Sequence, residues 1–184
     1  MRFILSIIFF FYLIFSFSQS VPKKLKSFNA FKAGEKLEYK LQYGFFNASY
    51  ASLTLKEDVV NNEKVLRATS IGRTTGLARL FFKVDDTYET FFSLDKVQPL
   101  KSIRDIYEGG YVRNAETLYD YNSNTAFFHD KIKNVKRKFK IHPEIQDIIS
   151  TFYYLRKHFD ISSLKPNDLI YVDIFFDQEI YPFK

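Results

Sequence analysis

The amino-acid sequence predicts a mainly β fold, a curved antiparallel sheet or open barrel with one amphipathic helix packed against it. Apolar and polar residues alternate along most of the chain, which is the pattern of strands with one buried face. Turn residues such as Asn61-Asn62 and Gly109-Gly110 recur at short intervals between the alternating runs. One segment, Asp147–Phe159, instead spaces its apolar residues as a helix does. We therefore expect one layer of strands with a helix laid on it.

The N-terminal segment has the layout of a secretory signal peptide. Arg2 precedes a largely apolar run, Phe3–Phe17, and small polar residues around Ser18 and Ser20 offer a cleavage site. A membrane-spanning helix needs about 20 apolar residues, and the run falls short of that, although a retained anchor is the alternative. We expect residues 1–18 to be a signal peptide and residues 19–30 a flexible basic linker. The expected location is the periplasm or the extracellular space.

Composition narrows the class of protein further. The 184 residues contain no cysteine and carry a formal net charge of +6. Without cysteine there are no disulfides, thiolate metal ligands or Cys nucleophiles, and the chain is not a bacterial lipoprotein. The basic segment Lys131–Lys140 predicts either a peripheral contact with a membrane surface or a solvated hairpin. Nucleic acid is not an expected partner, because no nucleic-acid motif is present.

Eight segments alternate as strands do before the helix. They are Glu35–Gly44, Ser49–Lys56, Lys64–Ile71, Asp86–Leu94, Leu100–Tyr107, Tyr111–Tyr121, Thr125–Asp130 and Lys136–Ile141. Phe45–Ala48 is predicted to be a turn. Gly72–Phe82 breaks the alternation and places Leu77, Leu80 and Phe81 at helical spacing, which predicts a loop with one or two helical turns.

The C-terminal part supplies a last strand and the start of another. After the helix, Pro166–Asp168 predicts a turn that leads into a strand, Leu169–Phe176. Asp177–Glu179 predicts a hairpin turn, and Ile180–Lys184 then begins an apolar strand with no sequence after it to serve as a partner. We therefore expect the sequence to be a fragment of a longer chain.

Several short motifs in this chain resemble the DUF3108 family, most closely its members from Bacteroidota. The motifs are Glu35–Tyr39, Asp85–Thr90, Tyr107–Gly110 and, most specifically, Gln146–Arg156. The similarity extends from about residue 31 to the end, so we expect a DUF3108-like β domain over residues 31–184. Family members continue for several more strands, which implies that C-terminal strands are missing. The resemblance implies an exported, mainly β protein and supplies no known catalytic residue.

The predicted helix carries the most distinctive polar residues. Asp147 and Ser150 lie at its N-terminal end, where a carboxylate or hydroxyl can cap free N–H groups, so we assign them a structural role. Tyr153, Tyr154 and Arg156 follow. They are interpreted either as ligand-binding residues or as part of a helix packed across the sheet, with Arg156 paired to a carboxylate.

Residues suited to catalysis or to metal binding do not form a recognisable set. Asp85 and Asp86 point to opposite faces of a strand and cannot act as a pair, and Asp86 is assigned a structural role. The three histidines, His129, His142 and His158, lack metal-site spacing. No nucleophile elbow or phosphate loop occurs. We expect no catalytic residue, no metal and no cofactor, and hence a protein that is not an enzyme.

The segment Gly72–Phe82 is the second candidate site. Leu77 and Phe81 are interpreted as ligand-binding residues of an apolar and basic flap, or alternatively as part of a cover that shields a sheet edge. The sequence as a whole leaves two functions open. The first is an exported envelope protein that binds a lipid or other amphiphile. The second is a structural or protein-interaction module of the bacterial envelope, with an envelope protein as partner and no small ligand.

Overall fold

The computed structural model describes residues 30–44 and 46–184, and within them eight strands form one antiparallel sheet. The predicted signal peptide, residues 1–18, and all of the predicted linker except Ala30 lie outside the described residues. The strands are β1 (Lys36–Tyr43), β2 (Phe46–Val60), β3 (Glu63–Thr74), β4 (Val84–Ser93), β5 (Pro99–Glu108), β6 (Tyr111–Asp120), β7 (Thr125–Asp130) and β8 (Val135–Lys140).

The sheet is a meander, because every strand pairs with its neighbours in sequence. β1 and β8 are its two edges and do not pair with each other, so the sheet stays open and is not closed into a barrel. Helix α1 (Gly76–Phe81) connects β3 to β4, and helix α2 (Ile148–His158) follows β8. The predicted mainly β fold with one amphipathic helix packed against an open sheet is confirmed.

A short hairpin completes the structure after α2. A 3₁₀ turn (Ile161–Ser163) leads toward β9 (Val172–Phe176), which pairs with β10 (Glu179–Phe183). Gln146 forms a parallel bridge with Ile174, donating its N–H to the Asp173 carbonyl at 2.9 Å and accepting from the Phe175 N–H at 2.8 Å. These bonds attach the hairpin to the segment that begins α2.

One face of the sheet, here called the inner face, carries α2 and the hairpin. A single row across six strands shows how its chemistry changes: apolar Leu55 and Ala68, then three hydroxyl side chains, then an aromatic ring. The remaining members of the row are Thr90, Ser102, Thr117 and Phe128. The apolar half packs against α2, where Tyr153 is fully buried with Leu55, Ala68 and Phe92. The hydroxyl half lies beneath the N-terminus of α2 and the hairpin.

The start of α2 is fixed by a capping box over that hydroxyl row. Asp147 is the N-cap; its Oδ1 accepts from the Ser150 N–H at 2.7 Å, and Ser150 Oγ accepts from the Asp147 N–H at 2.9 Å. Thr90 Oγ1 donates to Asp147 Oδ2 at 2.8 Å. The last turn carries Arg156, Lys157 and His158, which suits the negative end of the helix dipole.

Most strand boundaries differ from the sequence prediction by a few residues, and three features near the turns and the C-terminus differ in kind. The predicted turn Phe45–Ala48 is wrong at its C-terminal side, because β2 begins at Phe46; Gly44, at φ +56°, turns the chain more tightly than the side-chain pattern suggested. The predicted strand Leu169–Phe176 begins only at Val172. The prediction that the strand beginning at Ile180 lacks a partner is wrong, since β10 pairs with β9.

Within residues 30–44 and 46–184, neither helix has the length and apolar content needed to cross a bilayer.

Candidate functional site

The two most exposed large apolar side chains of the described part, Leu80 and Phe81, lie on α1. Leu80 is 81% exposed and Phe81 is 87% exposed, and Leu77 and Phe82 are each at least half exposed. We call these four residues the α1 tip. Scattered exposed apolar residues are ordinary on a protein surface, but four on one short segment form a patch that marks a contact site.

The backbone of the α1 tip is held firmly although its apolar side chains point into solvent. Arg79 donates to both carboxylate oxygens of Asp85, at 2.8 and 2.7 Å, and this pairing lowers the pKa of Asp85. The Thr75 N–H and hydroxyl bond to the carbonyls of Ala48 and Asn47 at 3.0 and 3.1 Å. The tip is therefore anchored on both sides, to β2 and to β4, and it presents its apolar residues in a defined arrangement.

The α1 tip shares one end of the sheet with two basic or aromatic turns. In a meander the connections alternate between the two ends, so the β1–β2, β3–β4, β5–β6 and β7–β8 connections lie at the same end. Tyr111, at the β5–β6 turn, is 51% exposed, and Ile132, at the β7–β8 turn, is 54% exposed. Lys131 and Lys133 flank Ile132 and are exposed. We call this end of the sheet the apolar end. It joins the two features that the sequence predicted separately, the flap and the basic segment Lys131–Lys140.

A second polar site lies on the inner face, beneath the turn of the β9–β10 hairpin. Arg104 of β5 and Arg113 of β6 point to the same face, because Arg113 is opposite Ile106 and Ile106 is two residues from Arg104. Both guanidinium groups reach Oδ1 of Asp177 in the hairpin turn: Arg104 Nη1 at 3.5 Å and Arg113 Nη1 in closer contact. The neighbouring turn residue, Gln178, accepts from Arg137 Nη1 at 3.0 Å.

The two guanidinium groups are buried but incompletely bonded. The Arg113 residue is 9% exposed; its Nη1 also donates to the Tyr111 hydroxyl at 3.4 Å, but its Nε has no hydrogen-bond partner. Nε and Nη1 of Arg104 likewise have none, since the contact of Nη1 with Asp177 is an ion pair and not a hydrogen bond. Arg104 is stacked over the Phe176 ring at 4.1 Å, and Arg113 lies 5.6 Å from the Phe128 ring centroid. Buried polar groups are normally satisfied, so these free donors identify a site with unused binding capacity.

A small cavity adjoins this pair. It encloses about 30 Å³ and is lined by Thr90, Ser102, Arg104, Thr117 and Asp147, among others. This is room for about two water molecules, and an acyl chain does not fit. Burial raises the pKa of Asp147 to about 6 despite the hydrogen bonds that the carboxylate accepts, and it raises the pKa of Tyr119, whose hydroxyl lies 3.3 Å from Ser102 Oγ.

Asp86 is the other acidic residue of the inner face with a perturbed pKa. It is 8% exposed, and burial raises the pKa of its carboxyl to about 6, with Glu108 adding to the shift. Its Oδ1 accepts from the Tyr107 N–H at 3.1 Å, which ties β4 to β5.

The predicted ligand-binding residues of α2 contact the chain itself. Tyr153 is fully buried, with its ring 4.9 Å from that of Phe31. Arg156 donates to both carboxylate oxygens of Glu35 at 2.6 and 2.7 Å and to the Ala30 carbonyl at 2.6 Å. Tyr154 is half-buried and packs against His158. Leu77 and Phe81, by contrast, are open to solvent.

The described residues hold no group of three or more His, Asp or Glu side chains arranged to bind a metal ion. The histidines lie apart: His142 Nε2 is 2.9 Å from Asp173 Oδ2, His129 is near Asn134, and His158 packs on Tyr154.

An open groove of about 760 Å³ lies elsewhere, lined by residues of the β2–β3 turn and of β5, β6 and β7. Its apolar members include Val59, Leu118 and Phe127, which are all partly exposed. Its volume is in the range of small-molecule sites, but Lys101 and Glu116 form an ion pair along its wall at 3.4 Å. This groove is a second location to compare with the α1 tip.

Sequence reasoning did not single out Arg104, Arg113 or Asp177. The hairpin turn was predicted at Asp177–Glu179, but the strands that bring both arginines under it are about 60 to 70 residues earlier. For this site the sequence shows only two arginines in predicted half-buried strands. The same pattern is expected for arginines on the solvent-exposed face of a strand, so it does not identify a site.

The protein is an open antiparallel meander whose inner face is covered by one helix and one hairpin. The family model described as protein of unknown function (DUF3108) matches residues 38–184, and the chain belongs to this family. Comparison with curated proteins and with solved structures gave no match.

Proposed function

We propose that this protein is an exported, non-enzymatic protein of the bacterial envelope that binds lipid, and that the α1 tip makes the contact with the bilayer. The observation that carries the proposal is the exposure of Leu80 and Phe81 on an anchored segment. Fully burying one such side chain stabilises by about 1.5–3 kcal/mol, so an apolar environment for both is a strong driving force.

Charge at the same end supports a lipid surface as the apolar environment. Lys133 is exposed beside Ile132 at the apolar end, whereas Lys131, on the other side of Ile132, is paired with Glu116 at 3.2 Å. A lysine near an anionic bilayer contributes about 1 kcal/mol, and apolar side chains flanked by lysines are typical of interfacial contacts. The inner cavity of about 30 Å³ is too small for an acyl chain, which favours contact with a bilayer surface over extraction of a lipid into the fold.

The test is partitioning onto vesicles of phosphatidylethanolamine and phosphatidylglycerol, measured by co-sedimentation of residues 19–184. We expect the Leu80→Asn, Phe81→Asn double variant to lose about 1.5–3 kcal/mol of binding, about one to two orders of magnitude in the partition coefficient, on the assumption that insertion buries each side chain about halfway. A matched control, Val59→Asn with Leu118→Asn, removes two partly exposed apolar side chains from the open groove and should leave partitioning unchanged.

The result that contradicts the proposal is equal partitioning of the tip variant and the wild type. If only the groove variant loses binding, the amphiphile is bound in the open groove and the α1 tip is not the contact site. The export component has its own test: removal of residues 1–18 should leave the protein in the cytoplasm, and continued export would refute the signal peptide.

The alternative is a protein-interaction module, and one observation favours it. All five residues of β10 are exposed, and within the described part of the chain its edge away from β9 pairs with no strand. An unpaired edge can accept a strand from a partner. Under this alternative neither the wild type nor any variant sediments with vesicles.

A further inference from the structure

Arg104 and Arg113 present more positive charge and more donors than the hairpin turn satisfies. Among the described residues, the ion pairs of both arginines run to the single carboxylate of Asp177. Three of their buried nitrogen atoms have no hydrogen-bond partner. Other carboxylates of the inner face are engaged elsewhere: Asp86 accepts from Tyr107, and Asp130 accepts from the N–H groups of Ile132 and Lys133.

Asp177 is held less firmly than the arginines that it contacts. Its side chain is 42% exposed, whereas those of Arg104 and Arg113 are 17% and 10% exposed. Asp177 and Gln178 form the two-residue turn with φ values of +50° and +74°, the left-handed region that favours glycine and that glutamine adopts less readily than aspartate. The carboxylate can therefore leave by a local movement of an exposed turn, while the two guanidinium groups stay fixed on β5 and β6.

We propose that Arg104 and Arg113 form a binding site for a phosphate group, free or part of a lipid headgroup, and that Asp177 occupies this site as an internal carboxylate until the phosphate displaces it. Two guanidinium groups that converge on one oxygen match an oxyanion, and a tetrahedral phosphate offers further oxygens to the unpartnered nitrogen atoms. The site is on the inner face rather than on the α1 tip, so it does not depend on the proposed bilayer contact.

The chain provides a matched pair of variants for the test. Asp177→Gly removes the internal carboxylate at a position whose φ of +50° glycine accepts without strain, so the variant should fold. Asp173→Asn makes the same change in charge on the same hairpin, but its carboxylate lies beside His142 and away from the arginines. Titration calorimetry with inorganic phosphate measures the affinity of each variant.

On the assumption that Asp177 occupies the site about 90% of the time, the apparent phosphate affinity of the wild type is about tenfold weaker than that of the open site. We therefore expect Asp177→Gly to bind inorganic phosphate about tenfold more tightly than the wild type. Asp173→Asn should match the wild type. Adding Arg113→Lys to Asp177→Gly keeps the charge but loses the guanidinium geometry. The double variant should bind inorganic phosphate about tenfold more weakly than Asp177→Gly alone. Circular dichroism of each variant confirms that it is folded.

Two results would overturn the proposal: equal phosphate affinity in Asp177→Gly and Asp173→Asn, or no loss on adding Arg113→Lys. The source of the phosphate is then resolved by comparing inorganic phosphate with a soluble short-chain phosphatidic acid. Tighter binding of the lipid by Asp177→Gly supports a headgroup, and equal binding supports a free phosphate group. A test in the Leu80→Asn, Phe81→Asn background separates this site from the bilayer contact, because that variant should retain phosphate binding.

Discussion

Replacing Arg156 with alanine should destabilise the fold substantially, because this residue connects α2 to the start of β1. Its guanidinium group makes two bonds to Glu35 and one to the Ala30 carbonyl, and it lies 5.0 Å from the Phe152 ring centroid. The side chains of Arg156 and Glu35 are 22% and 18% exposed. Removing the arginine leaves the Glu35 carboxylate largely buried without its partner, and it also removes packing from beneath the helix.

The magnitude follows from the degree of burial. Breaking a fully buried ion pair costs about 3–5 kcal/mol, and the residual exposure of this pair reduces that to about 2–3 kcal/mol. With a urea m-value of about 2 kcal/mol/M, the unfolding midpoint should fall by about 1 M. Tyrosine fluorescence reports the transition, since the chain has 13 tyrosines and no tryptophan.

A double-mutant cycle with Glu35→Gln separates the charge from the packing. Arg156→Ala should be less destabilising in the Glu35→Gln background, because no unpaired carboxylate is left behind. Arg67→Ala is the control: Arg67 pairs with Asp58 and Glu89 on the opposite face, with 37% of its side chain exposed, and should cost less than about 1 kcal/mol. A midpoint for Arg156→Ala no lower than that of Arg67→Ala would refute the reasoning.

Three further substitutions have outcomes that the structure specifies. Because burial raises the pKa of Asp147 to about 6, the folded state favours the protonated carboxyl, and the free energy of unfolding declines as pH rises from about 4 to 6. Asp147→Asn retains an N-cap and should gain up to about 3 kcal/mol relative to the wild type between pH 4 and pH 7, measured by urea unfolding. Parallel pH profiles of the two proteins would contradict this. Tyr153→Phe removes a buried hydroxyl that has no hydrogen-bond partner and should be neutral or stabilising by about 1 kcal/mol, whereas a loss of more than that would mean that the hydroxyl is bonded. Gly109→Ala places a Cβ 2.2 Å from Cε2 of Phe82 at a φ of +55°. The free energy of unfolding should therefore fall by about 1–2 kcal/mol, measured by thermal unfolding. An unchanged melting temperature would show that the turn and the Phe82 ring adjust freely.

The strands and α2 could be predicted because their signals are local. Thr125–Asp130 alternates cleanly and is β7, and the helical spacing within Asp147–Phe159 matches α2 with Asp147 as its N-cap. The exposure of the α1 tip was suggested by apolar residues that no strand pattern could absorb.

The pairs that define the sites could not be predicted, because their partners lie far apart in sequence. Arg156 was expected to meet a carboxylate, but Glu35 is 121 residues away and no periodicity identifies it. Asp177 meets Arg104 and Arg113 only because the hairpin folds back over β5 and β6. Side-chain alternation assigns a residue to a face of a strand, whereas the element that covers that face depends on the whole fold.

The meander has a consequence for the order in which the molecule assembles. Each strand of the sheet pairs with the one immediately before it, so β1 to β8 can form in chain order by short loop closures, which is a topology associated with fast folding. The bond between Glu35 and Arg156 closes a loop of 121 residues and cannot form until α2 has been made. We therefore expect the Arg156–Glu35 pair, which joins the last helix to the start of the first strand, to form after the neighbouring strands have paired.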